Sequence, residues 1–159
     1  MALLIATLKS ELVSLASSHS ADETAAITAW GDALGVYWAG ATANGIPIVG
    51  SFVTAGVTAA KIELVGMSAD GAGFGKIQAA CVAGWAAMAL PGAFTTNTAA
   101  IPPTGITGLA AVLQTAGDTN IAGDKDIDDS CQALADVWQP LTITGGTATF
   151  LGPVVFPIV

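Results

Sequence analysis

Ile27-Thr-Ala-Trp30-Gly-Asp-Ala-Leu34-Gly-Val-Tyr37-Trp38-Ala-Gly-Ala41 is the stretch on which the reading of this chain turns. Its large apolar residues and Ala41 fall at 27, 30, 34, 37, 38 and 41. That is the i, i+3, i+4, i+7 spacing of one helix face. Two of the four tryptophans and the only tyrosine lie on it. Burying a large side chain is worth about 1.5–3 kcal/mol, so a stripe this aromatic predicts a central core helix. Ser20-Ala-Asp22-Glu23 precedes it as a capping box, in which the Ser20 hydroxyl accepts from the Glu23 amide. The helix therefore starts near 21 and ends near Ala41, where Thr42-Ala-Asn44-Gly45 supplies turn chemistry.

Working outward, residues 3–17 read as an amphipathic helix with Leu4, Leu8, Leu12 and Leu15 inside and Lys9 and Glu11 outside. Pro47 suits the first turn of a third helix, with Ile48, Phe52, Ala55, Ala59 and Ile62 as its stripe. Gly50 and Gly56 weaken that helix unless a neighbouring backbone comes close, and Gly66 is its C-terminal cap. Ser68-Ala-Asp70-Gly71 is a turn. A fourth helix over 72–89 buries Phe74, Ile77, Cys81, Trp85 and Met88, and Pro91-Gly92 stops it. Residues 91–105 read as a long Thr/Asn/Pro loop, long enough to cover a surface or a partner. Leu109–Thr115 is a short helix. Asp124–Val137 is another, with Ile127, Cys131, Leu134 and Trp138 inside and Pro140 ending it. Ala25–Trp30, Ala79–Trp85 and Cys131–Trp138 look alike, each an Ala-rich helix with an inward Trp.

The tail changes period. Leu141-Thr-Ile-Thr, Gly145-Gly146 and Thr147–Leu151 read as a hairpin or two short strands, and Gly152–Val159 is apolar and extended. The expected fold is mainly α: a bundle of four to five helices over residues 1–140, with an extended or β C-terminal arm over 141–159. That arm either packs on its own domain or meets a neighbouring subunit, through Leu141, Ile143, Phe150, Val154, Val155, Phe156 and Ile158.

Composition narrows the function classes. Twelve acidic and four basic residues give a net charge of −8, and there is no arginine. Phosphate binding rests on Lys and Arg, so nucleic acid is not an expected partner. Only 10% of residues are charged while 53% are apolar, a surface often covered by copies of the chain, by partners or by lipid. The uncharged runs 33–60 and 77–117 are broken by Asn, Thr, Gly and Pro and lack basic flanks, so neither reads as a transmembrane helix. The first nine residues do not read as a secretion signal, because Lys9 follows the apolar run. Cys81 and Cys131 read as free buried thiols.

No catalytic constellation emerges. His19 is the only histidine and has no acid or nucleophile at a telling spacing. Gly71-Ala-Gly73-Phe-Gly75-Lys76 is not a phosphate loop and follows no strand. The most acidic segment, Asp118 to Asp129, admits two readings. Counted from Asp118, oxygen-bearing side chains fall at loop positions 1, 3, 7, 9 and 12 with Gly123 at 6, as in an EF-hand calcium loop built on Asp118, Asn120, Asp124, Asp126 and Asp129. Ala122 at position 5 and Asp129 in place of a bidentate Glu depart from that pattern. Alternatively, the acids offset the dipole and orphan amides of a helix N-terminus. Calcium aside, no cofactor is expected.

The order of features resembles a family of small virion structural proteins of tailed bacteriophages and prophages. The features are an Ala-rich helix with Trp30 and then Tyr37-Trp38, a second Ala-rich helix over 79–90, and Phe94 running into Pro102-Pro103. An acidic helix ending in Trp138 and a Thr-Gly-Thr stretch from Thr144 to Thr149 follow. The likeness covers about residues 20–150. It implies a non-enzymatic, self-associating particle component of neck, baseplate, tail or head surface. Such a protein is made in the host cytoplasm and carried in the virion, with copies of itself and other particle proteins as partners. The alternatives are a small membrane-associated or pore-like protein, and a small enzyme or calcium-binding module.

Overall fold

The computed structural model describes residues 3–18, 20–69, 71–151 and 154–159. Six α-helices are present among them: α1 (Ile5–Ser17), α2 (Glu23–Trp38), α3 (Gly50–Glu63), α4 (Gly73–Met88), α5 (Leu109–Ala122) and α6 (Ile127–Ile143). Five short strands complete the fold: β1 (Thr42–Ala43), β2 (Ile46–Pro47), β3 (Asn97–Ile101), β4 (Thr147–Phe150) and β5 (Val154–Pro157). Each helix packs on its neighbours in the chain, and α1 closes against α6, so the six form a ring around one core. The chain runs alternately up and down, which leaves its connections at two opposite ends.

The core is aromatic, as the α2 stripe predicts. Leu34, Tyr37, Trp38 and Ala41 are buried, and Trp38 meets Trp85 with ring centroids 6.4 Å apart. Trp138 joins them from α6, and the indole N–H groups of Trp38, Trp85 and Trp138 point to no acceptor among the described residues. Trp30 is the exception among the tryptophans; it is only half-buried. Glycines let the helices close in. A Cβ on Gly84 would strike the Trp38 ring, and one on Gly56 would lie 3.1 Å from the Gly84 carbonyl and 2.5 Å from Met88 Cγ. On α2, Gly31 and Gly35 receive Lys61 and Val57 of α3, one helical turn apart on both sides.

That close approach overturns the predicted face of α3. Ile62 is 67% exposed, whereas Val53, Gly56, Ala60 and Leu64 are buried, one or two residues away from the expected stripe. A tight helix crossing selects small side chains for the inside, so size is a poor guide to phase there. Pro47 is also not in α3; it ends the β1–β2 hairpin, whose turn carries Asn44 at φ 52° and Gly45 at φ 73°. Both positive angles are what a two-residue type I′ turn needs.

Other boundaries differ for local reasons. The N-cap of α2 is Asp22, not Ser20: its Oδ1 accepts from the Ala25 N–H at 2.8 Å. Glu23 instead reaches the turn after the neighbouring α3 and accepts from the Gly66 N–H at 2.7 Å. In α1, Leu4 caps the helix and is 49% exposed, while Leu3 takes the core position at 2%. Ile127 opens α6 and is 51% exposed. Pro140 does not end α6, which runs to Ile143. A proline removes one helix hydrogen bond, here the one owed to the carbonyl of exposed Asp136. Hydroxyls hold the last turn: Thr142 Oγ1 donates to the Gln139 carbonyl and Thr144 Oγ1 to that of Pro140. The expected boundary at 140/141 therefore falls inside a helix, and six helices replace the four to five expected. Cys81 and Cys131 are free and buried.

The long loop after α4 contains β3. It pairs antiparallel with β4, and β4 with β5, giving a three-stranded sheet of order β3-β4-β5. Buried Asn97 ties the loop, accepting from the Phe94 N–H and donating to the Leu90 and Ala99 carbonyls. The chain's end is pinned as well. Val159 and Thr42 exchange backbone bonds of 2.8 and 2.9 Å, the Ile158 N–H donates to the Gly146 carbonyl, and Ile158 is fully buried.

Candidate assembly surface

The two ends of the ring differ in charge. The turns joining α1 to α2, α3 to α4 and α5 to α6 hold or adjoin Asp22, Glu23, Glu63, Asp124, Lys125, Asp126, Asp128 and Asp129. At the opposite end lie the β1–β2 hairpin, the α4–α5 connection and the sheet. No charged residue occurs in 33–60, 77–117 or 137–159, the segments that build it.

Register assigns the two faces of the sheet. Ala148 pairs with Phe156 and with Ala100, and these residues face the core with Phe150 and Ile158. Phe150 and Phe156 pack edge to face at 5.8 Å. The alternate residues form two rows on the other face: Ile101, Thr147 and Pro157, then Ala99, Thr149 and Val155. Ile101 is 54% and Val155 55% exposed. Leu151 beside them is 81% exposed.

Of the seven residues expected to mediate subunit contact, only Val154 and Val155 are exposed. Leu141 and Ile143 lie half-buried on the last turn of α6, Phe150 and Phe156 on the inner face of the sheet, and Ile158 in the core. The arm is thus an integral part of the fold. Ala99 and Ile101 belong to the outward surface and escape a reading that treats 91–105 as a loop, and Leu151 lies in the expected arm but outside the seven residues named for contact. Alternation in Asn97-Thr-Ala-Ala-Ile101 is the available signal, and it is weakened by alanine at two of five places.

The five residues of the EF-hand reading do not share a single loop. Asp118 and Asn120 are inside α5, and only 123–126 form the turn into α6. Asp118 accepts from Gln114 one turn earlier at 2.9 Å, Asp126 caps α6 through the Asp129 N–H at 2.8 Å, and Asp128 pairs with Lys9 at 2.6 Å. A helix cannot wrap its carboxylates around an ion as a loop does. Among the described residues no group of three or more His, Cys, Asp or Glu is placed to hold a metal. The helix N-terminus reading accounts for Asp126 and Asp129.

Two apolar clefts, among several, lie toward the charged end. One of about 340 Å³ is lined mainly by Trp30, Met67, Phe74, Ile77 and Gln114. The other, of about 380 Å³ between α5 and α6, runs past Asn120 and Lys125. Neither gathers groups of shifted ionisation. Burial pushes the Cys81 thiol up, which keeps it protonated, and pushes Tyr37 up to about 12, while the Thr142 hydroxyl 2.7 Å away acts in the opposite direction. Both are core groups. His19 and Asp70 lie outside the described residues. Among the described residues no helix is long and apolar enough to cross a membrane.

No family model matches this chain, and neither a curated protein nor a solved structure matches it significantly.

Proposed function

We propose that this chain is a structural, self-associating component of a phage-like particle, at the neck, baseplate, tail or head surface. The observation that carries the reading is the uncharged end of the ring, with apolar residues turned outward from the sheet. Such a surface loses little on desolvation and gains on burial. The order of Trp, Tyr-Trp, Pro-Pro and Thr-Gly-Thr features along the chain supports the particle assignment. Mass spectrometry of purified particles, with copy number, tests it. A small ring multiple is expected for a neck or baseplate protein and hundreds of copies for a shell or tube. Absence of the chain from particles overturns the proposal.

A further inference from the structure

We propose that residues 92–98 form a two-state turn: one residue passes between the turn and the start of β3, and the passage carries the Asn97 side chain from the core to the surface of the uncharged end.

Two irregularities lie three residues apart. Thr95 has φ 61°, in the left-handed region, where a β-branched side chain crowds its own backbone. Among the described residues every other positive φ belongs to Gly, Asn or Asp, which tolerate it. The Thr95 side chain is exposed, so burial does not hold it there. The second irregularity is in the strand. Asn97 pairs with Phe150 and Ala99 with Thr149, which leaves Thr98 as an extra residue, a β-bulge. The turn is one residue too short to relax, and the strand is one residue too long.

Moving that residue settles both. With Thr98 opposite Phe150, the pairs from Ala99 to Ile101 stay as they are and the bulge is gone. Side chains then alternate without a break, Thr98 and Ala100 inward, Ala99 and Ile101 outward. Asn97 joins the lengthened turn and faces out, and Thr95 returns to a negative φ.

Bonds oppose the move. Asn97 accepts from the Phe94 N–H at 2.8 Å and donates to the Leu90 and Ala99 carbonyls at 3.1 Å each. The Gly92 N–H donates to the Asn97 carbonyl at 3.0 Å, and Thr98 Oγ1 to the Thr149 carbonyl at 3.2 Å. Once Asn97 reaches water these bonds are exchanged for bonds to solvent, so each is worth little net. The strain released is of the same order. The two states therefore lie close in free energy, with the strained one the major.

The consequence is chemical. No charge occurs in 77–117, and the outward residues beside the turn, Ala99 and Ile101, are apolar. The relaxed state adds to that surface a carboxamide, which both donates and accepts; the strained state withholds it. A contact that bonds to the amide selects the relaxed state, and one that needs an apolar surface selects the strained state.

Relaxation dispersion of the backbone amides of the full chain, which sees exchange in microseconds to milliseconds, is the test. Wild type should show one exchange process shared by residues 92–99 and Phe150, with a minor state of about 1%. Thr95→Gly relieves the strain of the major state alone, so it should lower the minor population about tenfold and flatten the dispersion. Thr95→Val keeps the branched Cβ and should keep the exchange. Asn97→Ala removes the side-chain bonds and should make the relaxed register the major one, with Thr98 in place of residue 97 as the cross-strand neighbour of Phe150. Flat dispersion in wild type, or exchange that Thr95→Gly leaves undiminished, overturns the proposal. So does a folded Asn97→Ala in which residue 97 still faces Phe150; if that variant does not fold, the two Thr95 variants decide.

Discussion

The ring's two ends are built from the same kind of helix and held by opposite means. At the turn end, side chains do the joining: the Asp22 cap, the Glu23 bond to Gly66 and the Lys9–Asp128 pair, all exposed to water. At the strand end the backbone does it, through β3-β4-β5, the Thr42–Val159 exchange and the Val49 N–H to the Ala93 carbonyl at 2.8 Å. An end tied by charged side chains needs its solvent. An end tied by backbone pairs can give its solvent up. Where a surface must be covered, the chain supplies strands; where it must stay wet, it supplies acids.

Removing the anchor of the strand end should produce the largest effect. Ile158 is fully buried against the Gly146 backbone, so Ile158→Ala should cost about 2–5 kcal/mol in urea unfolding. A cost below about 1 kcal/mol would mean that the last residues are not part of the cooperative unit. Alkali comes next. Tyr37 is the titratable group of the strand end, bonded to Thr142 between α2 and α6. Its pKa rises from 10.0 to about 12 on folding. The unfolded chain therefore releases this proton first, and stability falls between pH 10 and 12, by up to about 3 kcal/mol. As the only tyrosine, it can be followed by its phenolate absorbance, and Tyr37→Phe should flatten the slope in that window. A third, smaller change belongs to the turn end. Asp22→Ala should cost about 1 kcal/mol as a lost cap, read as a shifted urea midpoint without a changed slope. Smallest is Lys9→Met. Its ion pair with Asp128 is exposed, so the shift in melting temperature should be slight and should disappear in high salt. If Lys9→Met outweighed Ile158→Ala, the contrast between the ends would be reversed.

The contrast was partly readable before any coordinates. The α2 stripe, the Asn44-Gly45 turn and the Ile77, Cys81, Trp85, Met88 face of α4 are local patterns, and all three stand. What escaped depends on distant partners. β3 is a strand because β4 lies beside it, about 50 residues on. The inner face of α3 is set by Gly84 on another helix. Pro140 sits inside α6 because hydroxyls and the Tyr37 contact hold the turn around it. The candidate surface was legible only at Val155; its other half comes from a segment whose prolines and alanines hide the alternation. The acidic segment has the spacing of a loop but the propensity of two helix ends, and propensity decided it.

The four indoles form a built-in optical reporter. Trp38, Trp85 and Trp138 sit in an apolar interior and should emit far to the blue, beyond the reach of dissolved iodide. Trp30, half-buried at the lip of a cleft, should supply the red edge of the spectrum and most of the quenching. A single substitution, Trp30→Phe, would turn the protein's fluorescence into a nearly pure signal of its core.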